Sequence, residues 1–482
     1  VMDTVRGVLL PANTPSYKSS PNAWGPRLAF SWAPSRLNNK TTFRIGAGYY
    51  YGPGQTEDLI QPFESDRVST TLPAGSAYPI NPAAIIAGYD INSPTLGFQP
   101  RAFAPGYKIP EKILSYTASV QQRLPFDSVL TVAYVGSQGR NLFIRTLANL
   151  ITGVTTNPAS GAAVIQREFG AKFAEVDVKT SGGNDHYDAL QATFNRRFAR
   201  GFTLGSSYTW GHSMGTSGGS NETVTVANPN NWELDRGNNA VDIRHNINIT
   251  GLYELPFGAG RKYMNSSRMA DMLLGGWELG GVLNARTGLA LDPLIVRPDV
   301  VYRDTRNGAI YNSPVLVNGA PVTTAVINVP GGGASRQVRR PNYVAGVSPY
   351  LRGGGKTAFL NPAAFSIPEP GTYGNASRYS LHGPSLAQFD FTLHKRFAVT
   401  ERINMEFRSE FYNIFNKANF ANPPAQLANA LPSAPGGSGL QPGQPFTASA
   451  SGGVFGIVNS TLDRTIGLGA GRQIQLSLRL NF

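Results

Sequence analysis

A chain of 482 residues is long enough for several soluble domains or for one large barrel of strands and long loops. It has no cysteine, which excludes disulfide scaffolds, thiolate metal sites and cysteine nucleophiles. Mean hydropathy is −0.19 and no apolar run approaches the ~18 residues of a membrane-crossing helix, a test that half-wetted barrel strands escape. The net charge of +13 suits an acidic partner; because Lys and Arg lie scattered at strand ends and in loops, anionic lipid or an acidic ligand is expected and nucleic acid is not.

Period-two alternation begins at Gly25 to Ala33, with Leu28, Phe30 and Trp32 on one face, and returns after a polar turn in Thr41 to Tyr51. A long Pro- and Gly-rich stretch separates this hairpin from the next, Leu114 to Leu124 with Ser128 to Ser137. The pattern recurs in Tyr187 to Phe198 with Phe202 to His212, in Asp242 to Leu255 with Trp277 to Arg286, and in Leu386 to Phe397 with Arg402 to Phe415 across a turn at Ala398 to Glu401. The last strand, Gln473 to Phe482, sets Ile474, Leu476, Leu478, Leu480 and Phe482 against Gln475, Ser477, Arg479 and Asn481 without a break.

About eleven strands of roughly ten residues, joined alternately by short turns and long loops, have the length and asymmetry of outer-membrane barrels. Aromatics gather at both strand ends: Tyr49, Tyr50, Tyr51, Tyr208, Trp210, Phe411, Tyr412 and Phe415 toward the long loops, and Phe198, Phe202, Trp277, Phe397 and Phe482 toward the short turns. A soluble core would collect them at strand centres, so two interfacial girdles are expected. The fold class expected is all-β, a transmembrane antiparallel β-barrel with long extracellular loops, in the outer membrane of a Gram-negative bacterium. Eleven is odd, so the first and last strands run the same way and cannot close antiparallel. The expectation is that residues 1–482 are the carboxy-terminal part of one larger barrel domain, preceded by strands outside this sequence. Val1 to Leu10 has no apolar core, so no signal peptide is visible in it.

Several stretches carry a family resemblance: Ser119-Val120-Gln121-Gln122-Arg123-Leu124-Pro125-Phe126 through Ala133-Tyr134-Val135-Gly136-Ser137-Gln138-Gly139; Leu190-Gln191-Ala192-Thr193-Phe194-Asn195-Arg196-Arg197-Phe198; Asp242-Ile243-Arg244-His245-Asn246; and Glu410-Phe411-Tyr412-Asn413-Ile414-Phe415-Asn416 with the terminal Phe482. These resemble TonB-dependent outer-membrane transporters of the Oar-like kind, whose barrel follows a carboxypeptidase-regulatory-like domain and a plug. The resemblance implies about 22 strands around a plug, of which this chain would be the second half, without signal peptide, regulatory-like domain or plug. It further implies uptake, or export, of a large ligand such as a siderophore, glycan or peptide, with energy from the TonB system acting through the missing amino-terminal part. Two other readings stay open: an uncoupled porin or adhesin-like barrel, and a soluble carbohydrate-binding β-protein.

No catalytic, metal or cofactor site is expected, since the five histidines (His186, His212, His245, His382, His394) lie at unrelated spacings. Arg336, Arg339 and Arg340 form the one tight basic cluster, suited either to a solvated loop or to lipopolysaccharide phosphates or an acidic ligand. Asp235 and Arg236 could join a ligand site at the outer rim; with Asp242, Arg244 and His245 they are expected more readily to form an ion-pair network tying a long loop to the wall. Polar residues such as Glu406, Arg408, Asp390, Gln388, Gln475 and Arg479 are expected to face a wet lumen. Leu476, Leu478, Leu480 and Phe482 are the expected assembly signal, read by the barrel-assembly machinery.

Overall fold

The computed structural model describes residues 22–52 and 101–482, apart from 171–174, 200, 218–225, 259, 265–267, 332–337, 352–356, 399–402, 463–468 and 470, with scattered residues among 2–19 and 79–83. Eleven long strands make one antiparallel meander: β1 (Arg27–Trp32), β2 (Thr41–Tyr51), β3 (Lys112–Leu124), β4 (Ser128–Ala148), β5 (Val176–Ala199), β6 (Phe202–Gly215), β7 (His245–Glu254), β8 (Trp277–Arg286), β9 (Leu386–Ala398), β10 (Asn404–Tyr412) and β11 (Gln473–Asn481). Each pairs with its neighbours in chain order, and β1 and β11 are the two ends of the order. All eleven alternating segments of the sequence are therefore strands. The turn at Ala398 to Glu401 falls largely outside the described residues.

Register keeps each face uniform. Ile45 lies opposite Ala118, Ile249 opposite Leu283, Phe391 opposite Phe411 and Phe411 opposite Ile474, so one apolar face runs across the sheet. That face is uncovered: Leu28, Ile45, Leu476 and Leu478 are 82%, 59%, 65% and 68% exposed. An exposed apolar sheet of this extent needs a non-aqueous neighbour. Its aromatic borders are in place, with Trp210 at the long-loop end of β6 and the ring pair Phe202–Tyr253 at the short-turn end, 6.1 Å between centroids.

Three features depart from the sequence expectation. First, β4 and β5 continue past Ser137 and begin before Tyr187, pairing as far as Ala148 and Val176. The far parts of these extensions, residues 142–148 and 176–180, are covered on both faces; Phe143, Ile144 and Val176 are buried, so no wet face remains there to create alternation. Second, the connection at residues 255–276 carries a helix, α1 (Arg268–Leu274). Its exposed Met269, Met272 and Leu273 add apolar surface at the short-turn rim, and Trp277 Nε1 donates to Leu273 O at 2.9 Å.

Third, the long loops at residues 287–385 and 413–472 fold together. Leu291, Ile295, Val301, Leu360, Phe365, Leu427, Phe446 and Phe455 bury one another in a core outside the strand wall. A small mixed sheet joins the two loops, with Leu294–Ile295 parallel to Gln426–Leu427 and Ile295–Val296 antiparallel to Val338–Arg339. We refer to this unit as the cap.

Candidate functional site

The sheet's second face is polar. A row crosses it from Glu254 to Glu278, His394 and Arg408, each opposite the next on successive strands β7 to β10. His394 Nδ1 lies 3.6 Å from Glu278 and its Nε2 4.0 Å from Glu406, which also meets Arg396 at 3.7 Å. Arg408 approaches Glu410 at 3.9 Å. A cleft of about 480 Å³ opens on this face, lined by Thr203, Thr250, Glu278, Thr392, His394 and Arg408 among others. Gly205 and Gly280 contribute bare backbone to it, which deepens the wall where a side chain would project. Charges of both signs are spread along it in pairs, a surface suited to staying wet. Gln388 is an exception to the expected lumen set: Gly469 N–H donates to its Oε1 at 2.8 Å and it is buried beneath the returning loop.

Above the wall, acidic and basic side chains from distant loops meet in pairs. Arg340 donates from Nη2 to Asp235 at 2.7 Å and from Nη1 to Asp292 at 2.8 Å. Burial alone would pull its guanidinium down, but Asp292 and Asp235 together hold it above its ordinary value. Arg339 pairs with Asp299 at 2.8 Å. The sequence expectation of an accessible arginine cluster is thus corrected for these two residues: they are 5% and 9% exposed, because their acidic partners stand some 40 to 105 positions away in the chain. Arg336, the third member, lies outside the described residues.

Asp235 is buried with Arg340, whereas Arg236 stays exposed and pairs with Glu233 at 2.7 Å. Asp242, 1% exposed, accepts from Ser213 N–H at 2.8 Å and lies 3.6 Å from Arg244 and 3.8 Å from His382. Arg244 also contacts His212 Nδ1, and His245 Nδ1 meets Tyr208 OH at 2.8 Å on the wall itself. The geometry connects the loop at residues 226–244 to β6, β7 and the cap.

Several structural residues gave no sequence signal. Arg297, 1% exposed, donates to the carbonyls of Thr372, Asn328, Pro368 and Glu369 at 2.7 to 3.1 Å, and burial pushes its guanidinium down to about 10, so it stays charged at neutral pH. Arg378 donates to Thr216 O at 3.0 Å and to Asn239 Oδ1 at 2.5 Å. Asp177 gathers Arg145 and Lys179 at 2.9 and 3.1 Å. Isolated arginines in loops reveal nothing of their partners by spacing. Among the described residues no group of three or more His, Cys, Asp and Glu could hold a metal ion.

An antiparallel wall with one exposed apolar face edged by aromatics, one polar face and elaborate loops on one rim defines a membrane β-barrel wall. The chain belongs to the outer membrane beta barrel domain family, which matches residues 5–475. It is an outer-membrane protein of a Gram-negative bacterium, its apolar face in contact with lipid and its polar face toward the lumen, and the soluble alternative is set aside.

Solved structures similar to it include the outer membrane transporter YddB from Escherichia coli, with TM-score 0.39, 8% identity, and coverage of 95% of this chain and 40% of that one. A variant of the ferric enterobactin receptor PfeA from Pseudomonas aeruginosa gives 0.39, 10%, 95% and 40%. The FrpB iron transporter from Neisseria meningitidis gives 0.37, 10%, 95% and 39%. The chain thus spans about two fifths of the length of these solved chains. No curated protein sequence matches it.

Proposed function

We propose that this chain is the carboxy-terminal part of the barrel of a TonB-dependent receptor of the Oar-like kind, which passes a large ligand across the outer membrane. The observation that carries the reading is the cap: two long loops invest a buried core and several internal ion pairs above a polar lumen wall. Such an entrance holds a recognition surface in place, whereas an uncoupled diffusion pore needs only an opening. Among the described residues no strand covers the outer edges of β1 and β11, which favours further strands, because unpaired backbone groups are costly in hydrocarbon. Running in the same direction, these edges close antiparallel only if an odd number of strands is added.

In this reading the TonB system acts through a plug upstream of the wall. Of the residues considered for contact with ligand or lipopolysaccharide, Arg236 is exposed and carries the idea with Arg336, while Asp235, Arg339 and Arg340 serve to hold the cap. Leu476, Leu478, Leu480 and Phe482, the last 98% exposed, are proposed as the signal engaged by the assembly machinery.

The test is the intact mass and amino-terminal sequence of the native polypeptide from detergent-extracted outer membranes, with photo-crosslinking to TonB. A longer polypeptide with a plug that crosslinks to TonB is expected. A polypeptide starting near Val1, with no crosslink, would instead make this an uncoupled porin or adhesin-like barrel.

A further inference from the structure

At the rim where β4 and β5 rise above the membrane, Trp232 opens a short 3-10 turn, Trp232–Asp235, capped by Asn231, whose Oδ1 accepts from Glu233 N–H at 3.2 Å. The indole N–H is already spent on Pro229 O at 3.0 Å, which fixes the ring and leaves its faces for contact. One ring edge lies over Gly182: a Cβ there would come within 2.8 Å of it, at a φ of +136° that other residues rarely adopt. Strand β5 therefore makes room for the indole by omitting a side chain.

Two clefts adjoin this ring and share Pro229 and Asn230. One, of about 370 Å³, is completed by Asn184, Thr216, Asn231 and Glu233. The other, of about 270 Å³, is completed by Thr146, Thr180, Glu168 and a few aliphatic side chains. Among the described residues neither is lined by Lys or Arg, and the guanidinium beside the first, Arg236, is spent on Glu233 at 2.7 Å and on Asn184 Oδ1 at 3.2 Å. Both carboxylates are engaged, Glu233 by Arg236 at 2.7 Å and Glu168 Oε2 by Leu150 N–H at 3.1 Å. Thr146 is 8% exposed, and its hydroxyl oxygen is buried with no hydrogen-bond partner among the described residues. An unsatisfied buried hydroxyl is costly and gains a partner if the Thr146 side chain turns toward a ligand hydroxyl in the cleft that it lines.

An anionic iron chelate would ask this site for cations, and an apolar ligand would leave its amides and hydroxyls unpaired. A ligand that is neutral, rich in hydroxyls and bounded by a C–H face suits the ring together with the Asn and Thr groups that the internal bonds of Thr216, Asn231 and Asn184 leave open. From this we infer that the paired clefts beside Trp232 bind a neutral oligosaccharide, one pyranose ring packed on the indole and its neighbours directed into the flanking clefts. The inference rests on reading this rim as the ligand-gathering side of a transporter barrel.

The test uses the native, detergent-extracted protein and three soluble probes, maltohexaose, cellohexaose and xylohexaose, titrated calorimetrically, with ferric citrate as an anionic competitor. At least one hexasaccharide is expected to bind without competition from ferric citrate. Trp232→Ala should weaken it roughly tenfold or more, Trp232→Phe should retain most of the affinity, and Thr146→Val should weaken it a few-fold. Retention by Trp232→Phe separates loss of the platform from loss of folding. No binding of any of the three sugars, equal binding by Trp232→Ala, or full displacement by ferric citrate would each overturn the assignment. Sugar binding without a TonB crosslink would sink the transporter reading and leave this site standing; a TonB crosslink without sugar binding would do the reverse.

Discussion

Replacing Arg340 with Met tests the idea that buried charge pairs hold the cap. The guanidinium sits 2.7 Å from Asp235 and 2.8 Å from Asp292. At those distances Coulomb attraction amounts to about 6 kcal/mol per contact for an effective dielectric near 20. Much of this is offset by the cost of taking three charges out of water, so the intact trio adds little net stability. Truncating the cation alone is different, because two buried carboxylates then lose their shared cation and keep only the backbone N–H donors of Ala227 and Tyr379; the expected loss is about 3–5 kcal/mol. Arg236→Met, which breaks an exposed pair, should cost about 1 kcal/mol or less. Amide hydrogen exchange on the detergent-solubilised protein reads the difference: peptides covering residues 288–299 and 338–345 should exchange about a hundredfold to a few thousandfold faster in Arg340→Met, while β6 to β10 remain protected. The triple variant Arg340→Met, Asp235→Asn, Asp292→Asn should recover much of the protection. Exchange in Arg340→Met indistinguishable from Arg236→Met would refute the reasoning.

On the lipid face, Leu478→Lys should destabilise the inserted wall by about 2–4 kcal/mol, whereas Gln475→Lys, which faces Glu410 from the lumen side, should change it little; the temperature at which the folded gel band disappears distinguishes them. Deleting Phe482 should lower the fraction of chain recovered folded in the outer membrane, and unchanged recovery would remove it from the assembly signal. In the cap, Arg306 holds the Asp304 carboxylate down to about 2 through its side chain and backbone N–H. A folded value below the unfolded one, near 3.9, means this stabilisation is complete above about pH 4 and is lost as pH falls toward 2. Exchange in residues 300–327, corrected for intrinsic rates, should therefore rise between pH 5 and pH 2, and Asp304→Asn should abolish that rise.

The wall was legible in the sequence for a physical reason. A strand between lipid and a wet lumen must alternate, and every segment obeying that constraint, from Phe30 opposite Ile45 to Phe411 opposite Ile474, contains a strand of the wall. Where the constraint lapses, so does legibility. Residues 142–148 are covered on both faces, and their Leu142, Phe143, Ile144 and Leu147 form no period of two. The cap's core is built from single apolar residues spread over two loops, such as Leu291, Phe365, Leu427 and Phe455, which no local window connects. Arg339 and Arg340 read as an accessible cluster because charge density along the chain is local, while the carboxylates that neutralise them come from elsewhere in the fold.

These long-range pairs also bear on the rim clefts. Asp235 ends the same 3-10 turn that Trp232 begins, so the Arg340 contact that closes the cap also fixes one end of the turn presenting the indole. Asn231 fixes the other end through the cap on Glu233, and Pro229 O holds the ring itself. The turn is too short to have a core of its own, and its position is set by these polar contacts. A perturbation that separates Arg340 from Asp235 loosens the Trp232 platform while the strands beneath, held by their ladder hydrogen bonds, keep their register. The turn at the rim and the strand wall are in this way mechanically separable, tied to each other by polar contacts such as Arg340–Asp235 and Arg236–Asn184.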